Sequence, residues 1–133
     1  MTSLNLGSIL PLLTSATGRA FCAFLPTSMT EHLVRREIAA ARRGGTQLRK
    51  VLSKIDIQEI CSAVRKDGCA TVDSSFIPGL SALAAPVLDV QGEACLVITL
   101  IGNDPVLLDP KSETRRALFE RCRELSLKQV NLE

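Results

Sequence analysis

The sequence predicts an α+β fold with an antiparallel sheet flanked by helices. Three observations carry this. Helix-type apolar spacing fills the first half, strand-like runs rich in Val, Ile, Leu and Ala follow, and a helix-type segment closes the chain. Only Asp89-Val90-Gln91-Gly92 separates the last two strand-like runs, enough for a tight hairpin turn but not for the crossover a parallel pair needs.

Taken in order, Leu4 to Leu13 is apolar with one Gly and one Pro, and reads as a short strand or an extended entry segment. Ser15 can cap a helix that runs through Leu25 and stops at Pro26, with Ala16, Ala20 and Phe24 on one face. Ser28 followed by Glu31 is a capping-box pattern, opening a helix to about Arg43 with Leu33, Val34 and Ile38 inward and Gly44-Gly45 as its end. Asp56 with Glu59 gives a similar start to a third helix, with Ile60, Cys61 and Val64 on one side and Gly68 as the stop.

Strands are expected at Cys69–Val72, Leu80–Leu88 and Glu93–Ile101. Between the first two, Asp73 and the run from Ser74 to Ser81 read as a loop anchored by Pro78 and Gly79, able to hold hydroxyls and a carboxylate. If Asp89 pairs with Gly92, Ala82 lies opposite Thr99, and Leu80, Ala84, Val97 and Ile101 share their face. The other face carries Leu83, Ala85, Val87, Leu96, Ile98 and Leu100, bulky enough to pack under a helix, whereas the small residues of the first leave space. A three-residue loop with Gly92 in a bulge would shift the register by one, and the sequence leaves both open. Asp109-Pro110 and Ser112 lead into a last helix with Leu118, Cys122 and Leu125 at i, i+4 and i+7.

The chain of 133 residues has the size of one domain. With four Phe and no Trp or Tyr, stacking platforms for bases or sugars are excluded as a common feature. A net charge of +2 is too mild for a duplex-binding domain as a whole. Five cysteines, odd in number and never two apart, fit neither a disulfide framework nor a zinc site, and a reducing cytoplasm is the expected compartment. No apolar run reaches the roughly 20 residues needed to span a bilayer, so neither export nor membrane insertion is expected.

Candidate chemistry is sparse. His32, the only histidine, lies on a polar helix side beside Glu31 and Arg35, without partners for base or metal work. Cys61, Cys95 and Cys122 fall on apolar faces and read as packing; Cys22 or Cys69 would be the nucleophile if the chain were a small thiol-dependent or hydrolytic enzyme. The basic series Arg35, Arg36, Arg42, Arg43, Arg49 and Lys50 lacks a helix-turn-helix around it and reads as a solvated or subunit-facing surface. Gly18, in Thr17-Gly18-Arg19, could mark an anion-binding helix start.

The stretches Leu10-Pro11-Leu12-Leu13-Thr14-Ser15-Ala16-Thr17-Gly18-Arg19-Ala20, Pro78-Gly79-Leu80-Ser81-Ala82-Leu83-Ala84-Ala85-Pro86-Val87 and Thr99-Leu100-Ile101-Gly102 resemble, in order and spacing, the C-terminal effector-binding domain of IclR-type bacterial transcription regulators. The resemblance covers roughly 6–127. It implies a profilin-like or GAF-like domain that binds small organic metabolites and self-associates as homodimer or homotetramer. The family's DNA contact comes through an N-terminal winged helix-turn-helix that has no counterpart in this sequence. The opening helix and strands of the sensor domain also lack a counterpart, so 1–133 reads as one partial effector-binding domain. The implied pocket takes backbone N–H groups of Ala16 and Thr17, then Asp73, Ala82, Thr99 and Ile101, with no cofactor and no catalysis. Ala82 and Ile101 stand where some members carry serines or a cysteine, implying a ligand with an apolar body and perhaps one acidic end. A dimerisation domain with a vestigial pocket is the remaining alternative.

Overall fold

The computed structural model describes residues 10–44 and 54–131. Leu10 and Pro11 have no regular structure and residues 12–14 form a turn, so no strand forms there, and the earlier part of the segment expected as a strand or an extended entry lies outside the described residues. Ser15 caps α1 (Ala16–Phe24), its hydroxyl accepting from the Gly18 amide, and Leu25 closes the helix ahead of Pro26. Helix α2 (Thr27–Gly44) begins directly after Pro26, whose carbonyl accepts from the Met29 amide, so Ser28 lies inside the first turn and not at the cap. Val34 packs on the core as expected, but Leu33 is 40% exposed and shares an outward surface with Met29 one turn earlier.

Helix α3 (Lys54–Asp67) starts two residues before Asp56 and buries Cys61 and Val64. Gly68, at φ +77°, ends it in the left-handed region, its amide donating to the Val64 carbonyl at 2.8 Å. Strand β1 (Ala70–Ile77) continues through Asp73 to Ile77, where the sequence suggested a loop. The connection narrows to a Pro78-Gly79 turn with Gly79 at φ +82°. The expected loop appears instead as an irregularity in the β1–β2 ladder between Val72 and Ile77.

Strands β2 (Leu80–Leu88) and β3 (Ala94–Gly102) complete a three-stranded antiparallel meander in the order β1-β2-β3. The central strand tolerates Pro86 because β1 pairing ends at Ala70↔Ala84, leaving Pro86 paired only with Val97 of β3. The expected Ala82–Thr99 pairing is not formed: Ala82 pairs with Ile101 and Ala84 with Thr99. Two steps produce this. The Asp89 amide bonds the Glu93 carbonyl across a loop with Gly92 at φ +78°, and a second irregularity sits between Val87 and Leu88. Each shifts the ladder by one; together they slide partners by two, so each residue keeps its face.

A 3-10 helix (Pro105–Leu108), capped by the Asp104 carboxylate on the Val106 amide, leads into α4 (Glu113–Asn131). Ser112 caps α4 by accepting from the Arg115 amide at 3.1 Å. On one sheet face Leu83, Ala85 and Val87 pack with Leu107, Leu118 and Cys122; on the other Ala84 and Ala70 pack with Ala16, Ala20 and Ala23 of α1 and with Cys61 and Val64 of α3.

Candidate functional site

The turn ahead of α1 is tied from several directions. The Ser15 hydroxyl donates to the Pro11 carbonyl at 2.5 Å, and Arg19 Nε donates to the Leu13 carbonyl at 2.7 Å. The amides of Leu12 and Leu13 both donate to the Glu37 carboxylate of α2, the second at 3.1 Å. Gly18 permits the close approach: a Cβ there would stand 2.3 Å from the Pro11 carbonyl oxygen. Its role is thus steric, and the anion-binding reading of the sequence passes to the preceding residues. The first amides of α1, at Ala16 and Thr17, have no intrahelical acceptor and sit at the positive end of the helix dipole.

That helix start lies over β3. The hydroxyls of Thr17 and Thr99 share a hydrogen bond of 2.6 Å, linking two residues 82 positions apart. Around them lies a cleft of about 50 Å³ that brings together all six sequence-predicted residues, Ala16, Thr17, Asp73, Ala82, Thr99 and Ile101. The slide of the β2–β3 register did not disperse them because it conserved the face. Leu10, Ser15, Val72 and Leu80 complete the lining, so the wall is largely apolar with polar groups at the helix start and at Asp73.

Sequence reasoning missed Arg19 and Glu37. Burial lowers the Arg19 pKa, opposed by the Asp73 carboxylate, which places a half-buried cation close enough to feel the cleft's acid. Nothing local marks Glu37, since its partners are backbone amides 24 and 25 residues away. A carboxylate one turn after Val34, beside Ile38 on the apolar side of an amphipathic helix, is the sequence signal.

A larger groove of about 680 Å³ lies between α2 and α3, floored by Val34, Ile38, Ile57 and Cys61. It contains none of the six residues. Of its arginines, Arg35 is paired with Glu31 and Arg65 donates Nε to the Ala23 carbonyl at 2.7 Å.

The buried thiols are poor nucleophiles. Burial pushes Cys22 up to about 12, with the neighbouring Cys61 and Glu37 adding to it, and burial also raises Cys61, Cys69 and Cys122. Cys95, expected on an apolar face, is exposed, next to the hairpin turn that opens β3. His32 and the arginines Arg35, Arg36 and Arg43 are exposed, as the solvated reading expects; Arg49 and Lys50 lie outside the described residues. Among the described residues no group of three His, Cys, Asp or Glu could hold a metal, and no helix is long and apolar enough to cross a membrane.

Residues 1–127 match the family model described as bacterial transcriptional regulator IclR, C-terminal. The chain belongs to this family. HmgR of Pseudomonas aeruginosa is similar at 26% identity and a TM-score of 0.77, over 95% of this chain and 48% of that one. The IclR protein of Thermotoga maritima is similar at 18% identity and a TM-score of 0.68, over 89% of this chain and 47% of that one. The C-terminal domain of the E. coli transcriptional regulator KdgR follows at 19% identity and a TM-score of 0.62, over 90% and 71%. The chain therefore spans about half the length of HmgR, and the latter two likenesses speak to the IclR-type fold alone. No curated protein sequence matches the chain.

Proposed function

We propose that this IclR-type domain senses a small organic acid in the cleft between the start of α1 and strand β3. One observation carries the reading: Ala16 and Thr17 at the start of α1, the Thr99 that shares a hydroxyl pair with Thr17, and Asp73 line one apolar-walled cleft. An acid's carboxylate sits at the helix start, where unpaired N–H donors and the dipole favour it. A volume near 50 Å³ suits such a head group, with the apolar body over Ala82, Leu80 and Ile101 toward the opening. Asp73 accepts from a ligand hydroxyl or braces the rim, and Arg19 offsets its charge so that an anion is not repelled.

In this reading residues 1–133 are one partial effector-binding domain of a cytoplasmic regulator. It self-associates, and DNA is engaged through a separate winged-helix domain. It has no catalytic role: the raised pKa values of Cys22 and Cys69 count against the thiol-enzyme alternative.

The test is thermal denaturation against acetate, pyruvate, benzoate and phenylacetate. A ligand at 100 times its Kd adds about 2.7 kcal/mol. The cleft residue Ala82 is then replaced by Leu, which should abolish the shift by filling the space. If none of the acids moves the transition, or if Ala82→Leu responds like the parent, the assignment fails. Persistent self-association without any acid response would favour the vestigial-pocket alternative.

A further inference from the structure

Among the described residues of α2 only Thr30 is buried, and Val34 is half-buried against the core. Glu37, half-buried one turn after Val34, adds a polar tie to the fold. Its two carboxylate oxygens accept from the consecutive amides of Leu12 and Leu13, the second at 3.1 Å, and among the described residues it makes no ion pair. A carboxylate that takes two main-chain donors makes a strong, directional, charge-assisted contact.

That contact falls on the turn from which one wall of the cleft is built. Leu10 lines the cleft ahead of the turn, and Ser15, Ala16 and Thr17 line it behind. The turn and the helix start are locked together: the Ser15 hydroxyl donates to the Pro11 carbonyl at 2.5 Å, and Gly18 lies so near that a Cβ on it would stand 2.5 Å from the Leu12 Cα. Whatever shifts Leu12 and Leu13 therefore shifts the first turn of α1.

We propose that Glu37 is a positioning residue for the acid site: it fixes the helix start from α2 and so couples acid affinity to the seating of α2. This rests on the reading of the cleft as an acid site. Linkage makes the coupling reciprocal, so an acid that selects one geometry of the turn also favours the matching seat of α2. The sign of the effect separates this role from plain electrostatics. Glu37 is an anion in the neighbourhood of a bound carboxylate, and if its charge were all that mattered, neutralising it would tighten binding. Glu37→Gln keeps one acceptor oxygen and puts an NH2 group where the other stood, so one of the two amides loses its partner and the turn is released. Positioning thus predicts weaker binding.

Calorimetry of the folded parent and of Glu37→Gln with acetate, pyruvate, benzoate and phenylacetate tests this, with backbone amide resonances followed in the same titrations. Glu37→Gln should raise the Kd of each acid the parent binds by about tenfold. Glu31→Gln, on the same helix but exposed and paired with Arg35, should leave it unchanged. In the parent, the Leu12 and Leu13 amides and the Glu37 carboxyl carbon should shift with the same midpoint as the Ala16 and Thr17 amides. Their standing still while Ala16 and Thr17 move overturns the proposal, whether or not Glu37→Gln folds. A lower melting temperature with a parental Kd makes Glu37 a structural brace and overturns it; so does a tighter Kd, which is the electrostatic outcome, or an equal loss in Glu31→Gln. Each of these leaves the acid reading intact. A parent that binds none of the four acids, or binds them undiminished after Ala82→Leu, fails the cleft reading and takes this proposal with it.

Discussion

The two faces of the sheet are made from the same strands yet packed to different ends. Under α4, Leu83 and Val87 are at 0% and 1% exposure and interlock with Leu107, Leu118 and Cys122. Under α1 the contact is alanine on alanine, with Ala16, Ala20 and Ala23 against Ala84 and Ala70. Large side chains fill their face and hold the sheet to α4. Small ones bring α1 close enough for Thr17 to bond Thr99, and because they fill less volume a cleft remains at the helix start. The face that buries less apolar volume is the one that carries the candidate cleft.

Breaking the filled face should cost most. Leu83→Ala removes a fully buried side chain and should destabilise by about 2–5 kcal/mol in chemical denaturation, with no direct change at the cleft. Overfilling the small-residue face comes next: Ala84→Leu, also at 0% exposure, should cost about 1–3 kcal/mol by driving α1 off the sheet. If the two substitutions had equal effects on acid binding in the folded fraction, the division of labour between the faces would be wrong.

Alkaline titration sharpens the same contrast through Cys22, which belongs to the α1 side. Its thiol is raised from 9.0 to about 12 by burial, so between those values the native state holds a proton that the unfolded chain has lost. Stability is therefore undiminished below pH 9 and falls as pH rises toward 12, by at most about 1.4 kcal/mol per pH unit from this group. Cys22→Ala should flatten that slope in denaturation curves measured from pH 8 upward; an unchanged slope would place the alkaline sensitivity elsewhere. The smallest expected effect is that of Thr99→Val. Losing the 2.6 Å bond to Thr17 should cost about 0.5–1.5 kcal/mol of stability and leave the fold intact. Acid binding should weaken beyond that, and calorimetry separates the two.

Much of this was legible locally. The Ser15 cap, the stop at Gly68, the hairpin between β2 and β3 and the α4 stripe of Leu118 and Cys122 depend on side chains acting on their own few neighbours, and such signals survive in a bare sequence. Face membership was legible as well, because a strand's period of two assigns Ala82, Ala84, Thr99 and Ile101 to one side whatever their partners. What the residues around Asp89–Glu93 could not determine was the pairing itself, since the Gly92 loop and the irregularity at Val87–Leu88 each add one step and only their sum restores the faces. The strand character of β1 beyond Asp73 likewise depended on β2 lying beside it. The Glu37 carboxylate on the Leu12 and Leu13 amides, and Arg19 within reach of Asp73, are contacts across long stretches of chain. Sequence determined which residues could face the cleft; tertiary structure decided which backbone groups and charges met them, because hydrogen bonds and Coulomb forces act through space and carry no periodicity along the chain.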